Sequence, residues 1–314
     1  LVQAYLQKEK ILLYGDYDVD GTTSVSFMAQ VLGDLGFTFD YYIPDRYKEG
    51  YGLSYQGIDF AREKGHHLLI TLDCGIKAIE KVRYANIHQI DVIICDHHTP
   101  GEALPEAIAV LDTKRKDDAY PFKELTGCGV GVKLLQALVR EMKVQGLPLP
   151  DEGYDPLLAY GALLALSIAW DIVPIVGENR ILTTIGLQKL RSNPSKGIQV
   201  LMEQDTHGRH WDISDLVFFI GPRINAAGRL NHAHAAVEVL MGKEENLYDL
   251  AKALQSSNDA RKDLDRQITE EALQSIADNP LEQAAYTTVM YRPEWHKGII
   301  GIVASRLIET YYRP

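Results

Sequence analysis

The chain has 314 residues, 46% apolar and 24% charged, which is the balance of a folded globular protein and excludes a disordered, collagenous or membrane chain. At roughly 100 to 200 residues per domain, that length allows two domains, or one large domain and part of another. Lys and Arg number 32 against 43 Asp and Glu, a net charge of −11, so no globally basic surface exists, although a local basic groove is still allowed.

Three cysteines, Cys74, Cys95 and Cys128, lack CxxC spacing, so neither a disulfide framework nor a structural zinc site is expected, and a reducing compartment fits. The longest apolar stretch, Leu157 to Trp170, stops at Asp171, short of the ~20 residues a membrane span needs, and reads as a core helix. No secretory segment follows Leu1, and both ends read as cut from a longer protein.

The first predicted strand, Ile11 to Tyr14, runs straight into Gly15-Asp16-Tyr17-Asp18-Val19-Asp20-Gly21, ahead of a helix from Thr22 to Leu35. Three carboxylates alternating along an extended loop repel one another on closure unless a cation sits among them. Helix capping accounts for one of the three. No Glu closes the loop after Gly21, so it is not an EF-hand. The second strand, Phe37 to Ile43, leads through Arg46 to a helix from Ser54 to Lys64. The third, His67 to Leu72, ends in Asp73-Cys74-Gly75 before a helix from Lys77 to Asn86. The fourth, Val92 to Cys95, ends in Asp96-His97-His98, and a fifth runs from Ile108 to Leu111. Short strands alternating with crossover-length helices predict an α/β domain, a parallel Rossmann-like sheet flanked by helices on both faces, with ligands beyond the carboxyl ends of the strands.

From Gly127 the periodicity turns helical: Val130 to Lys143, Pro156 to Ala169, Arg180 to Leu190 and Ile198 to Glu203 make a helical second half. Asp171 follows the most apolar of these helices, where a carboxylate is costly unless paired or bound to metal. Glu244 to Asp278 contains no Pro or Gly and predicts one long polar-faced helix or two abutting ones, a connector. After Asn279-Pro280, the β-type run Thr287 to Tyr291 and the segment Gly298 to Glu309 read as the start of a second α/β domain. Acids and imidazoles on one rim of one sheet suit Mn²⁺ or Mg²⁺, with zinc as runner-up, and several shared carboxylates suit two ions.

Gly15 to Gly21, Leu72-Asp-Cys-Gly-Ile76, Asp96-His-His98 and Asp171-Ile-Val-Pro174 together resemble the four motifs of the DHH phosphoesterases. Tyr42 to Arg46 with Gly50 to Leu53, Gly221 to Leu230, and His296 to Arg306 resemble the branch of that family that degrades single-stranded DNA from 5′ to 3′. Other branches carry a His four residues before the first acid of the Asp-x-Asp pair; here that residue is Tyr14, which favours the single-strand branch. Trp170 departs from the small residue expected before the fourth-motif acid.

The resemblance implies a catalytic domain over 1–243, a connector helix over 244–280 and, over 281–314, the truncated start of the domain that accompanies the catalytic one. It implies metal ligation by Asp18, Asp20, Asp73, His97 and Asp171, with Asp73 bridging two ions, and catalytic roles close to the metals for Asp16, Asp96 and His98. Arg46, Arg223, Asn225, Arg229, His296, Ser305 and Arg306 are its substrate-binding positions, and Tyr47, Tyr51 and Trp295 are candidates for base stacking.

The reaction implied is metal-assisted hydrolysis of single-stranded DNA to 5′-mononucleotides in repair and recombination, in the cytoplasm, with single-strand-binding protein or a helicase as partners and no membrane. Two alternatives stand beside it: a phosphoesterase acting on short oligonucleotides or cyclic dinucleotides, and a non-catalytic replication scaffold. With a single helix opening the last segment, Ile299, Ile302, Val303 and Leu307 are expected to lack a covering partner.

Overall fold

The structure, a computed structural model, describes residues 1–204, 210–229, 233–243 and 245–314. Five strands, β1 (Ile11–Gly15), β2 (Phe39–Tyr42), β3 (Leu68–Leu72), β4 (Asp91–Cys95) and β5 (Ala109–Leu111), form one parallel sheet in the order β2-β1-β3-β4-β5. Side chains alternate between its two faces. Ile11, Leu13, Ile70, Leu72 and Ile93 enter the main core, while Leu12, Tyr14, Leu69, Val92 and Ile94 enter a second core on the other side. Burial on both faces explains why these strands read as continuous apolar runs.

Register positions the chemistry. Gly15 pairs with Leu72 and Leu72 with Cys95, so the next residues, Asp16, Asp73 and Asp96, emerge side by side at the carboxyl edge. Chain order reverses between β1 and β3, and crevices at such switch points are where α/β sheets bind ligands.

Helices α1 (Val2–Gln7), α2 (Val19–Asp34), α3 (Tyr55–Glu63), α4 (Ile79–Ile87), α5 (Gly127–Val144), α6 (Pro156–Trp170), α7 (Gly177–Ser192) and α8 (Lys196–Met202) follow the predicted order, with α1 unanticipated. Apolar on nearly every side, α6 lies buried among α2, α5 and α7. Beyond it, α9 (Ile213–Asp215) continues through a π turn, Leu216–Ile220, into α10 (Gly221–Arg229), and α11 (Ala233–Met241) follows. Gly221, Ala226, Ala227 and Gly228 weaken the apolar periodicity of α10 in the sequence, yet these small residues pack closely in its buried face.

The predicted long helix is α12 (Leu247–Ala277), and α13 (Pro280–Ala284) and α14 (Ile300–Tyr311) complete the chain. Glu244, where the connector was expected to open, and Leu230, which closes the Gly221 segment, lie outside the described residues. Two expectations are corrected. Thr287 to Tyr291 is not a strand: among the described residues no neighbouring strand offers it a ladder, and Thr288 N–H donates instead to the Pro314 carbonyl at 2.7 Å. The last helix does not lack cover, because Ile299, Val303 and Leu307 pack with Ile268, Ala272 and Ile276 of α12 in a third core, with Ile302 half-buried. Among the described residues no helix is long and apolar enough to cross a membrane, and all three cysteines are free and buried.

Candidate metal centre

Asp18 caps α2, accepting the Gly21 N–H at 3.0 Å, and so begins the helix in which Asp20 occupies the first turn. Asp20 is held at both of its oxygens. Its Oδ2 accepts the Gly127 N–H at 2.7 Å, and its Oδ1 accepts the Cys128 N–H at 3.0 Å and the Ser167 hydroxyl at 2.7 Å. The positive end of α5 therefore points at this carboxylate. Gly127 permits the approach, since a Cβ there would lie 2.6 Å from that of Asp73.

Asp73 leaves β3 in a left-handed conformation, φ 61°, with its side chain buried. His97 Nε2 lies 3.1 Å from Asp73 Oδ1, 3.6 Å from Asp171 Oδ2 and 3.7 Å from Asp20 Oδ2. Three sets of ligand atoms each fall within 4.8 Å of one another: Asp73, His97 and His98; Asp20, His97 and Asp171; and Asp16, Asp18 and Asp73. Asp73 and His97 each belong to two sets, the arrangement in which neighbouring cations share ligands.

Asp96 differs from the other acids. Its Oδ2 accepts the Ile76 N–H at 2.8 Å, and its Oδ1 accepts the N–H groups of His97 at 2.7 Å and His98 at 3.1 Å and bonds to His98 Nδ1 at 2.8 Å. The ring bond orients the His98 imidazole, and the backbone bonds fix the turn that carries His97, which is how partners behind a metal ligand act. The Tyr51 hydroxyl meets His98 from the other side, 3.2 Å from Nε2.

Electrostatics set the acids apart in the same way. Burial, then the charge of Asp18, pushes the Asp16 carboxyl up to about 8. Burial, then Asp20 and Asp18, raises Asp171 to about 7, and Asp73 is raised far above the usual range by burial and four neighbouring acids. Burial alone would raise Asp96 too, but its bonds from His98 and the Ile76 N–H outweigh that effect and hold it below the usual range. Burial pushes the His97 imidazole down, whereas the bond to Asp96 raises His98. Asp16 Oδ1, Asp73 Oδ1 and both ring nitrogens of His97 are buried with no hydrogen-bond partner among the described residues. Desolvated, mutually repelling carboxylates with orphaned lone pairs beside imidazole nitrogen are the donor set that Mn²⁺ or Mg²⁺ satisfies.

A groove of about 550 Å³ opens beside the acids and takes in Asp16, Asp18, Arg46, Tyr51, Asn225 and Arg229. The Arg46 guanidinium stands 5.0 Å over the Tyr17 ring. Arg229 donates to the Gly298 carbonyl at 2.7 Å, and the Tyr47 hydroxyl donates to the Arg229 carbonyl at 2.6 Å. His296 stands edge-on to Tyr47, at the same junction.

The other candidates lie elsewhere. Arg223 is buried against the Phe219 ring, 3.6 Å from its centroid, and donates to the Phe219 carbonyl. Ser305 bonds back to the Gly301 carbonyl within α14, Arg306 makes a two-pronged pair with Asp265 of α12 at 2.9 and 2.8 Å, and Trp295 donates to Glu271 at 2.9 Å. Tyr14 points away from the acids into the second core, where its hydroxyl donates to the Gly52 carbonyl at 2.8 Å and accepts the Ser54 N–H at 3.1 Å. It anchors the loop that carries Tyr51.

Sequence reasoning passed over Ser167, Thr126 and the Gly127 and Cys128 amides. Ser167 reads as a neutral residue in an apolar helix; only its place one turn before Asp171 hinted at the site. Ser167→Ala is expected to strip Asp20 of one bond and leave the Thr126 hydroxyl, now 2.6 Å from Ser167, with only the Gly129 N–H that it accepts. Thermal melts and Mn²⁺ titration should show a loss of about 1–3 kcal/mol and a metal affinity about 10- to 100-fold weaker. Unchanged affinity would mean that the α5 amides alone hold Asp20.

Residues 10–162 match the model of the DHH family, N-terminal domain. The chain is 39% identical over 314 residues to the single-stranded-DNA-specific exonuclease RecJ of Bacillus subtilis, covering 99% of this chain and 38% of that protein. Among solved structures, it superposes on exonuclease RecJ bound to manganese with a TM-score of 0.86 at 32% identity, over 99% of this chain and 76% of that one. RecJ of Thermus thermophilus in complex with Mn²⁺ matches with a TM-score of 0.82 at 30% identity, over all of this chain and 44% of that one. The chain thus spans well under two thirds of the Bacillus relative's length.

Proposed function

This chain belongs to the DHH family and, within it, to the RecJ proteins, and from that premise we propose that it carries the catalytic core of a metal-dependent exonuclease hydrolysing single-stranded DNA from 5′ to 3′ to 5′-mononucleotides. The observation that carries the reading is the meeting of orphaned, desolvated acids and His97 at the switch point of the sheet, beside a groove lined by Arg46 and Arg229. The manganese in the related structures supports the choice of cation.

Asp18, Asp20, Asp73, His97 and Asp171 would hold two Mn²⁺ or Mg²⁺ ions, with Asp16 at the edge of the same set. Divalent cations there supply charge stabilisation for phosphodiester cleavage. The chain's own part is orientation: Asp96 fixes the His98 imidazole and the backbone of His97, α5 fixes Asp20, and Arg46 and Arg229 face the strand's phosphates. We assign the catalytic domain to residues 1–243, the connector to 244–280 and the start of an accompanying domain to 281–314. A cytoplasmic repair role, with single-strand-binding protein or a helicase as partners, belongs to the same proposal.

Single strands labelled at one end or the other test it in the presence of Mn²⁺. Label released from the 5′ end as mononucleotide, with the 3′ label retained in shortening products, is expected; the reverse polarity, or no digestion, would refute the reading. Arg46→Ala should weaken single-strand binding about tenfold and reduce the salt slope by about 0.7, with Mn²⁺ affinity unmoved. Equal loss of Mn²⁺ binding would place Arg46 with the metal centre instead.

A further inference from the structure

Besides its acids and guanidiniums, the same groove has an apolar wall. Trp170 and Ile172 contribute to it from either side of Asp171, and Val217, Phe218 and Pro222 from the π turn and its continuation. Two of these side chains stand in water: Phe218 is 80% exposed and Ile172 is 90% exposed. Ile172 is also held at φ 56°, a left-handed conformation that β-branched residues rarely adopt. Such strain persists only where surrounding structure imposes it, and it gathers at ligand sites. Phe218 sits at the centre of a π turn, a distortion that likewise concentrates at functional positions.

Folding gains nothing from exposing a phenyl ring or from twisting an exposed isoleucine. Both lie in the groove that holds Asp16 and Asp18. The wall is also tied to the acids, because a Cβ on Gly221 would overlap the Trp170 ring, so the π turn rests directly on the residue preceding Asp171. A groove lined by exposed apolar side chains together with guanidiniums matches a nucleotide, which has an apolar face and an anionic backbone.

We propose that Phe218 and Ile172 form a nucleobase platform: an unstacked base lies on the Phe218 ring and against Ile172 while the adjoining phosphates face Arg46 and Arg229. In the sequence Phe218 passed unnoticed, and Ile172 stood only as a neighbour of the fourth-motif acid. The proposal rests on the single-strand reading of the preceding subsection and adds that the groove grips bases as well as backbone.

The test compares two probes by fluorescence anisotropy in Ca²⁺: a twelve-nucleotide oligothymidylate and an abasic strand of the same length. The wild-type chain should prefer the thymidine strand by about tenfold, the scale of one base stacked on an aromatic ring. Phe218→Ala should bring that ratio close to one, and Phe218→Trp should preserve it. Ile172→Gly should lower the ratio without lowering the melting temperature, because glycine accepts the left-handed backbone. A wild-type ratio of one, or a ratio that Phe218→Ala leaves unchanged, overturns the platform. If the wild type digests labelled single strands yet shows a ratio of one, the platform alone fails; if it neither binds nor digests them, the exonuclease reading fails and takes the platform with it.

Discussion

Asp73→Ala is expected to remove divalent-cation binding and strand hydrolysis together. Asp73 lies just beyond β3, its unpartnered Oδ1 is 3.1 Å from His97 Nε2, and it belongs to two of the three ligand sets. Losing it leaves Asp16 and Asp18 without their third member and His97 without its nearest carboxylate. The rate should fall by more than the about 10- to 100-fold that follows loss of a partner behind a ligand. Calorimetric titration should show no Mn²⁺ binding at concentrations that saturate the wild type. Because alanine is strained at φ 61°, Asp73→Asn is the companion variant: asparagine tolerates that backbone and keeps the volume. Near-wild-type turnover with full metal occupancy in Asp73→Asn would refute the bridging role.

The metal-free chain should lose stability as pH rises from about 4 to about 8. In the unfolded chain aspartates ionise near 3.9. In the folded chain, burial and like charge raise Asp171 to about 7 and Asp16 to about 8. The folded state therefore holds protons that the unfolded state has released, so this stability is complete below the unfolded value and is lost as pH climbs through the folded ones. Asp96, held low, acts in the opposite sense, its contribution disappearing only as pH falls. Cations reverse the trend, because they bind the deprotonated acids and bind better as pH rises. Melts in EDTA should fall by about 5 °C or more between pH 5 and pH 8, and the increment from added Mn²⁺ should be largest at pH 8. A flat profile in EDTA would mean that these acids are charged without metal.

Legibility followed the range of the interactions involved. The strands and the acids at their ends could be read from sequence because each apolar run terminates within one residue of its functional group, as Leu72 does before Asp73 and Cys95 before Asp96. What holds those acids could not, because Asp20 is fixed by groups 107, 108 and 147 residues away in sequence. Arg223, Asn225 and Arg229 look equivalent in sequence, yet on one helix Asn225 and Arg229 line the groove while Arg223 turns in against Phe219. Thr287 to Tyr291 shows the opposite failure. Its β-branched and aromatic residues carry a strand preference, but preference forms no strand without an adjacent edge.

The long helix α12 serves two cores. Leu247, Ala251 and Leu254, near its start, belong to the main core with the strands, whereas Ile268, Ala272 and Ile276 belong to the small core shared with α14. Its 31 residues, at about 1.5 Å each, make a beam roughly 46 Å long, anchored at one end in the metal-bearing body. The far end is held by a few side chains and the Arg306–Asp265 pair, the kind of small unit that opens at lower cost than a main core. Opening of that far end would leave the acids and their sheet in place, yet it would release Gly298, ahead of α14, from the bond that holds Arg229 at the edge of the groove.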